Sequence, residues 1–461
     1  MLNRSTVERV LIAALTSGGD FSEIFYEETK TSGISAVNGI VEKATSGIDL
    51  GVGIRVLNGT SSIYVFSNDI REENLIRLAQ EASAELYSAP QGISFLLSRR
   101  RDYAVRDYSV NPLAIRQDRK AELLRHSSNH AMNFSNLITQ TSASYSDSER
   151  NIIIANSEGN YVTDRVLRAR VAIQSVATLK QEKQTGYKAP GIVGGFERIE
   201  QLNLEEIASD ASRIADTMVK AKPCPSGRFP VVIGNGFGGV IFHEACGHAL
   251  EATSVGIKAS VFTDMLGKKI ASDIVTAIDD PTLDGEWGSY RIDDESVLPR
   301  RNLLIKNGIL TGFLVDRLGG RRMNADPTGS GRRQSYRYAP TSRMSNTFID
   351  SGKDTHDQII ADTELGIYAA KMGGGSVDPS TGEFNFAVTE AYMIRNGTIM
   401  EPVRGATLIG KGSEVLMNID RVGNDLELEQ GVCGSVSGNV PANVGQPTIR
   451  VSEMTVGGYE E

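Results

Sequence analysis

The sequence is poor in cysteine and lacks long hydrophobic runs. Its 461 residues include only Cys224, Cys246 and Cys433, which are too few and too scattered for a disulfide framework. We therefore expect a reducing, cytoplasmic location. No run approaches the roughly 18–20 apolar residues of a membrane span, and residues 1–8 lack the pattern of a signal peptide. These features disfavour helical membrane proteins and small disulfide-stapled secreted domains.

Basic residues are also in short supply. The chain has 48 lysines and arginines against 57 aspartates and glutamates, which gives a net charge of −9. General nucleic-acid binding requires a basic surface for the phosphates, so this balance disfavours it. With 40% hydrophobic residues, the chain is long enough to bury a large core and to form more than one domain.

The first half alternates helical patterns with hairpins, and the second half is mostly β. The run Pro223–Gly227 ends the last helix of the first half and marks a boundary. We predict an α+β fold of two domains, 1–222 and 223–461, with mainly antiparallel sheets and packed helices. The predicted helices are 5–15, 71–86, 112–132, 204–222 and 355–371, a long strand is predicted at 168–179, and the predicted hairpin turns are Asn38-Gly39, Asn58-Gly59, Glu158-Gly159, Asn307-Gly308 and Asn396-Gly397.

Two of the five histidines and one acid lie together in the apolar stretch Ile241–Leu250. His243 is followed directly by Glu244, and His248 comes five positions after His243. Neutral imidazoles bind zinc, and a neighbouring carboxylate can take a proton from water. This combination is typical of a zinc hydrolase, and it places the metal-binding helix in the second domain.

The spacing of these histidines differs from the familiar i, i+4 pattern. Side chains at i and i+5 of an ideal helix point about 140° apart. His243 and His248 can therefore converge on one ion only if the helix contains a π-turn or ends near Gly247. Alternatively, His243 packs in the core and His248 faces water. The spacing alone leaves both interpretations open.

A glycine-rich motif directly precedes the histidines. Residues 229–233 look like a strand, and Gly234–Gly239 match the G-x-G-x-x-G pattern of a dinucleotide-binding turn, with Asp264 about 25 positions further on. However, ionisable residues enter the next helix in its first turns, and the later segments look like antiparallel hairpins. We interpret the glycines as allowing the start of the helix to pack closely against its neighbours.

A catalytic zinc site requires a third protein ligand. Cys433, in the Gly-rich run 431–435, could supply a thiolate, although residue type alone favours an ordinary buried cysteine. Cys246 is predicted to be a small buried hydrophobic residue, and Cys224 has no reason to approach the histidines. We interpret the other three histidines as solvated residues on helices: His126, His130 and His356.

The segment Asp316–Arg343 carries seven arginines against two aspartates in an otherwise acidic protein. Arginine forks bind carboxylates, so this segment could contact a peptide C-terminus or an oxyanion. It could equally form structural ion pairs with the acidic run 279–295. The candidate substrate contacts are Arg332, Arg333, Tyr336 and Arg343. The run Met372–Gly375 could seat an extended peptide or form a flexible turn.

Four motifs of the second half follow one another along the chain: His243–His248, Pro327–Tyr336, Gly405–Gly410, and Val432–Gly434 leading to Gly445–Thr448. Together they resemble the TldD/PmbA (TldE) family of zinc metallopeptidases, in the same order. The similarity runs the whole length, but the specific motifs lie beyond Pro223. One departure is Cys246, where a small or aliphatic residue is expected.

The resemblance implies a cytoplasmic zinc metallopeptidase that cleaves short or unfolded peptides with little sequence preference. On the matching positions, His243, His248 and Cys433 would bind Zn²⁺, and Glu244 would be the general base. This reverses the preference of residue type alone at Cys433. The family also implies a dimer, either with a sister TldE-type subunit that lacks the H-E-x-x-x-H motif or with a second copy.

Two functions from other classes remain as alternatives. A non-catalytic peptide-binding subunit would be expected to lack the histidine motif, which this chain has. A dinucleotide-dependent redox enzyme depends only on the glycines between Gly234 and Gly239.

Overall fold

The computed structural model describes residues 2–86, 94–100, 103, 108–378 and 381–458. The fold is α+β with mainly antiparallel sheets, as predicted. Within these residues, no helix is both long enough and apolar enough to cross a membrane.

The first half forms a sheet of eight strands. They are β1 (Phe21–Val37), β2 (Ile40–Asn58), β3 (Ser61–Ser67), β4 (Ser98–Arg99), β5 (Ile138–Asn156), β6 (Asn160–Leu179), β7 (Glu182–Lys188) and β8 (Gly191–Val193). Their order is β3-β2-β1-β5-β6-β4, and β7 and β8 also pair with β6. The three hairpin turns predicted here join β1 to β2, β2 to β3 and β5 to β6, and the predicted strand 168–179 is the second half of β6.

Five helices accompany this sheet, and four of them match the predicted segments to within a few residues. They are α1 (Arg4–Ala13), α2 (Glu72–Ala84), α3 (Gln117–Met132), α4 (Phe196–Glu200) and α5 (Leu204–Lys220). Side chains alternate across β1, so Ile24 and Tyr26 face the core beneath α1 and α2. Phe25 faces the other way and packs with Ile292 and Tyr336 of the second half. One face of the sheet therefore carries helices, and the other meets the second half of the chain.

The second half contains the remaining strands and five short helices. The strands are β9 (Lys222–Pro223), β10 (Gly227–Ile233), β11 (Ala277–Asp279), β12 (Asn302–Lys306), β13 (Ile309–Leu310), β14 (Gly331–Arg332), β15 (Thr341–Ser342), β16 (Asn346–Ile349), β17 (Leu365–Val377), β18 (Glu383–Arg395), β19 (Thr398–Arg404), β20 (Thr407–Lys411), β21 (Ile419–Val422), β22 (Glu427–Ser435), β23 (Gly438–Gln446) and β24 (Ile449–Gly457). The helices are α6 (Val240–Ala245), α7 (Ala252–Val255), α8 (Arg317–Met323), α9 (His356–Ala361) and α10 (Gly412–Met417).

Two large sheets contain all of these strands except β14 and β15, which pair with each other. One has the order β17-β10-β24-β20-β18-β19-β9 with β21 paired to β24, and the other has the order β13-β12-β11-β16-β23-β22. β22 is therefore the edge strand of the second of these sheets. The predicted turns Asn307-Gly308 and Asn396-Gly397 join β12 to β13 and β18 to β19, with positive φ at both residues of each turn. The division into domains 1–222 and 223–461 stays a prediction.

The predicted helix 355–371 is wrong. A capping box between Thr355 and Gln358 starts α9, but this helix ends at Ala361. Leu365–Val377 is instead the strand β17, which pairs with β10 and β18. Neighbouring strands decided its conformation, because the apolar residues of a strand that is paired on both sides can also fit a helical pattern. The run Met372–Gly375 lies in this strand, so the flexible turn considered for it is also wrong.

Candidate metal centre

His243 and Glu244 lie on α6, whose start packs closely on β23. A Cβ atom on Gly239 would lie 2.4 Å from the Gly445 carbonyl oxygen, and one on Gly238 would lie 2.6 Å from the Gln446 side chain. The predicted role of these glycines in close packing is confirmed. The strand β10 that precedes them pairs parallel with β17 but antiparallel with β24, unlike a strand of a dinucleotide-binding domain, whose neighbours are parallel.

The helix ends between the two histidines. α6 stops at Ala245, Cys246 leaves helical geometry with φ −132° and ψ −47°, and a 3₁₀ turn follows at Gly247–Leu250. A Cβ atom on Gly247 would lie 2.2 Å from the sulfur of the buried Met344, so a larger residue at position 247 would displace that side chain. Of the two ways in which His243 and His248 could converge, the structure has the helix end.

The two imidazoles meet at the sulfur of Cys433. The Cys433 Sγ atom lies 3.1 Å from His243 Nε2 and 3.4 Å from His248 Nε2. The ligand atoms of the three residues all lie within 4.8 Å of one another, and no second group of this kind occurs among the described residues. Nitrogen and sulfur ligands of one tetrahedral zinc lie about 3.6 Å apart, given bond lengths of about 2.0 and 2.3 Å. The donor set therefore fits a zinc ion in both chemistry and spacing.

Cys433 lies on β22 and is 3% exposed. Burial by itself would raise the pKa of its thiol, but the His243 and His248 rings outweigh this and hold the pKa well below its ordinary value. A thiolate is the form that binds metals. The other cysteines differ, since Cys224 and Cys246 are fully buried in the apolar core and burial raises both of their pKa values. The predicted hydrophobic role of Cys246 is confirmed.

The buried carboxylate of Glu251 orients His248 by contacting the ring nitrogen that faces away from Cys433. His248 Nδ1 lies 3.1 Å from Glu251 Oε2, which leaves Nε2 directed at Cys433. Burial would lower the pKa of His248, but the charge of Glu251 and the contact with Cys433 raise it well above its usual value. The other oxygen of Glu251 accepts a hydrogen bond of 3.2 Å from the Met344 N–H, and Arg343 Nε lies 4.0 Å from it.

Glu251 was missed by the sequence analysis. The sequence could have indicated it, because Glu251 follows His248 by three residues and its carboxylate can reach Nδ1, the ring nitrogen that does not face Cys433. A carboxylate–histidine pair of this kind fixes the tautomer and orientation of a metal-binding imidazole.

Glu244 is more accessible than the three possible ligands. Its side chain is 32% exposed, and its Oε2 atom lies 3.7 Å from His248 Nε2. The carboxylate therefore lies beside the cluster on its solvent side.

All four predicted substrate contacts are buried, and each of these side chains bonds to other groups of the chain. Arg332 donates to the carbonyls of Met344 and Pro441 at 2.6 and 2.7 Å. Arg343 donates to the carbonyls of Cys433 and Gly438 and to the Ser437 hydroxyl. Both guanidinium groups therefore hold the β22–β23 hairpin that carries Cys433.

Arg333 and Tyr336 connect the two halves of the chain. Arg333 forms a fully buried ion pair of 2.5 Å with Glu23 of β1. The Tyr336 N–H donates to Glu27, and its hydroxyl donates to Asp49 at 3.2 Å. Structural ion pairs are present in this segment, but most of the arginine partners belong to the first half of the chain and not to the acidic run 279–295. Further pairs across the same contact are Arg317–Glu158, Arg321–Asp20, Arg337–Asp49, Arg55–Glu295 and Arg150–Asp294.

The remaining histidines lie apart from the cluster. His126 and His130 of α3 contact Glu205 and Ser209 of α5, and His356 contacts Thr448.

A cavity of about 570 Å³ lies between the two halves beside β22. Its lining includes Glu427–Gly431 of β22, Tyr187 and Lys188 of β7, and Lys371 of β17. Glu429 forms ion pairs there with Lys188 at 3.2 Å and with Lys371 at 3.5 Å. The cavity thus follows the strand that leads to Cys433.

The backbone of β22 presents free hydrogen-bonding groups to this side. Gln430 is opposite Asn443, whose N–H donates at 2.9 Å to Ser345 on the far side of β23. Because Asn443 bonds on that side, Gln430 and Asn443 form a non-hydrogen-bonded pair of the β22–β23 ladder. In such a pair, the N–H and C=O groups of both residues point away from the partner strand. The N–H and C=O groups of Gln430, and those of Val432 two residues on, therefore point to the open edge.

Three family models together match most of the chain. The PmbA/TldA metallopeptidase domain 1 matches residues 22–85, the central domain matches 110–219, and the C-terminal domain matches 226–458.

Individual relatives agree with these models. The chain is 34% identical over 455 residues to a protein named metalloprotease TldD homolog from Buchnera aphidicola, covering 95% of this chain and 93% of that protein. It is 30% identical over 258 residues to the zinc metalloprotease TldD homolog of Saccharolobus solfataricus, covering 56% and 58%. Among solved structures, a putative modulator of a DNA gyrase from Thermotoga maritima superposes with a TM-score of 0.80 at 20% identity, covering 98% and 99%, and shares the fold.

Proposed function

Because the chain belongs to the PmbA/TldA metallopeptidase family, we propose that it is a zinc-dependent peptidase with His243, His248 and Cys433 as metal ligands. The main support is the buried convergence of the Cys433 sulfur on both Nε2 atoms, although this cysteine follows His243 by 190 residues. The Saccharolobus relative is named a zinc metalloprotease. Nitrogen and thiolate ligands also favour zinc over magnesium or calcium, which prefer oxygen.

Each residue then has a defined part in hydrolysis. Zinc in such a set supplies Lewis acidity, which polarises a carbonyl and makes water nucleophilic at neutral pH. Glu244 takes the proton from the attacking water and later transfers it to the leaving amine. Its position beside the cluster and its partial exposure support this role, since a general base must reach both water and substrate. Glu251 holds His248 in the tautomer that leaves Nε2 free for the metal.

We propose that the substrate is a short or unfolded peptide bound in extended form along β22. The outward backbone groups of Gln430 and Val432 would pair with the peptide main chain, and the strand leads directly to Cys433. Main-chain hydrogen bonds are available to every peptide sequence, so this binding mode gives little sequence preference. Folded proteins would be excluded, because only an extended chain can add to a strand edge between the two halves.

Arg332, Arg333, Tyr336 and Arg343 would act indirectly. Their burial and their bonds within the chain support a positioning role, in which Arg332 and Arg343 hold the Cys433 hairpin and the other two fix the halves around the cavity. The chain would work in the cytoplasm as a dimer, either with a sister subunit or with a second copy. All three cysteines are free, which suits a reducing compartment.

The direct test is peptide hydrolysis by the purified chain, assayed alone and with a candidate sister subunit. We expect about one zinc per chain, cleavage of an unstructured peptide, loss of cleavage after chelation and recovery with added zinc. A stably folded protein of similar amino-acid composition serves as the control and should remain uncleaved. Cleavage that survives complete metal removal would contradict the proposal.

Replacing Glu251 with glutamine is expected to lower zinc affinity by about 10–100-fold, the usual effect of losing a charged partner behind a metal-binding histidine. Competition with a chromophoric chelator measures this affinity without reference to activity. Glu364→Gln, on an exposed residue, is the matched control. An affinity equal to that of the control would remove Glu251 from the metal centre.

A further inference from the structure

Gly431 lies on β22 two residues before Cys433, and neither its conformation nor its packing requires a glycine. Its φ is not positive, so other residues can adopt its backbone conformation. A Cβ atom on it would meet nothing nearer than the Ala442 carbonyl oxygen at 3.7 Å, whereas at Gly239 and Gly247 the nearest atoms would lie at 2.4 and 2.2 Å. The space that a side chain would take at Gly431 belongs instead to the cavity beside β22.

Gly431 shares one face of β22 with Glu429 and Cys433. Side chains alternate along a strand, and the register between β22 and β23 has no shift. On this face Cys433 contacts His243 of α6, and Glu429 accepts a hydrogen bond of 3.1 Å from the Phe237 N–H in the 3₁₀ turn just before α6. Gly431 therefore lies between the metal centre and the turn that carries Phe237.

The cavity that Gly431 borders has apolar side chains in its wall. Phe237 is half-buried and packs on the core of the second half, and Met372 of β17 is 5% exposed. Aromatic rings and thioethers both make favourable contacts with large apolar side chains. Charge follows only at the next position on this face, where Glu429 forms its two ion pairs with lysines.

A peptide paired antiparallel with the open edge of β22 would place one of its residues directly opposite Gly431. Gln430 and Val432 supply the hydrogen bonds of this pairing, so the position opposite Gly431 is a non-hydrogen-bonded one, where Cα atoms lie about 4.5 Å apart. The peptide side chain there would lie on the face of the Cys433 sulfur, about 7 Å back along the strand. An aromatic side chain directly across from a strand glycine packs over its bare backbone.

We propose that Gly431 and Phe237 form a subsite for one large apolar side chain of the substrate, aromatic above all, two residues from the position opposite Cys433. This subsite rests on the proposed function, since it requires a peptide along β22. Main-chain pairing accepts every sequence, and the subsite adds a preference at one position. That side chain sets the register of the peptide on β22, so the bond that is cut lies at a fixed distance from it.

The first test uses two unstructured peptides of glycine, alanine and serine that differ in one central residue, phenylalanine in one and alanine in the other. We expect the native chain to cleave the phenylalanine peptide with at least about tenfold higher kcat/KM, the usual scale for filling an apolar pocket. Mass spectrometry of the products should show one main cleavage site. Moving the phenylalanine by one residue should move this site by one residue.

Gly431→Val fills the subsite and should remove the preference. The two peptides should then have nearly equal kcat/KM, and cleavage of the phenylalanine peptide should spread over several bonds. Valine suits a strand, and its Cβ meets no close neighbour here, so the variant should fold and keep its zinc. If it is unstable, Gly431→Ala takes its place and should reduce the preference in the same direction.

Gly47→Val is the matched control. Gly47 is also a strand glycine without positive φ, and a Cβ atom on it would meet nothing nearer than Thr31 Oγ1 at 3.6 Å. It is not among the described residues that line the cavity. This variant should keep the native preference and the single cleavage site.

Binding separates the subsite from the peptidase proposal. The Glu244→Gln variant should bind a fluorescein-labelled phenylalanine peptide at least about tenfold more tightly than the alanine peptide, measured by anisotropy, and adding Gly431→Val should abolish the difference. A native chain that cleaves no peptide would end the peptidase proposal, and these affinities would still decide the subsite. Equal affinities for the two peptides, no binding of either, or a preference that persists in Gly431→Val would each overturn it.

Discussion

Replacing Glu244 with glutamine is expected to abolish nearly all peptide hydrolysis and to leave the metal in place. Glutamine has the same shape but cannot accept the proton from the attacking water. Loss of a general base costs about 10²- to 10⁴-fold in rate. The carboxylate lies 3.7 Å from His248 Nε2 and is not one of the three clustered ligand atoms, so the metal site should persist.

Two measurements on the same sample are required, kcat/KM for an unstructured peptide and the zinc content. Glu364→Gln again controls for the loss of one negative charge at an exposed position. Turnover within a few-fold of the native rate would rule out Glu244 as the general base. Loss of zinc together with activity would mean that Glu244 acts on the metal centre.

Replacing Cys433 with alanine is expected to remove the metal and, as a consequence, the activity. The change deletes one of three ligands and the only anionic one. Removing only the hydrogen-bond partner of a metal ligand lowers metal affinity by about 10–100-fold. Removing a ligand itself should therefore lower the affinity by more than the upper end of this range. After dialysis against a weak chelator, the zinc content should fall from about one ion per chain to near zero.

Cys246 provides a matched control for this change. It lies between the two histidines in sequence, yet it is fully buried in the apolar core and outside the ligand cluster. Cys246→Ala should keep its zinc and lose only a modest amount of stability through the small cavity that it creates. A Cys433→Ala variant that still holds one zinc per chain would exclude Cys433 from the site and contradict the proposed centre.

Some elements could be predicted because the signal is local. A type I′ turn requires positive φ at both residues, and Asn38-Gly39, Asn307-Gly308 and Asn396-Gly397 have it, whereas at Asn58-Gly59 only the glycine does. The close packing at Gly234–Gly239 likewise followed from the residues around it. In contrast, the helix predicted at 355–371 was wrong, because Leu365–Val377 pairs with the following strand β18 and with β10, which lies far earlier in the sequence.

The convergence of the histidines shows the same limit at the site. Local geometry reduced the possibilities to a π-turn or a helix end near Gly247, and it could not choose between them. Where the chain leaves α6, residue 247 lies against the buried side chain of Met344, almost a hundred positions away, and this contact favours a glycine there. The arginine segment was ambiguous for a similar reason. Its partners Glu23 and Asp49 lie in the first sheet, far from any charge pattern visible around Arg333.

The sequence by itself determined the chemistry that is confined to a few neighbouring residues. It placed two imidazoles and a carboxylate within six positions, set the hairpin turns, and carried the motifs of the family. Only the tertiary structure brought the sulfur of Cys433 to both rings and made β22 an open edge beside a cavity. These features depend on which strands pair and which strand edges remain unpaired. Contacts between segments that are far apart in the sequence decide this pairing, and no local sequence pattern encodes such contacts.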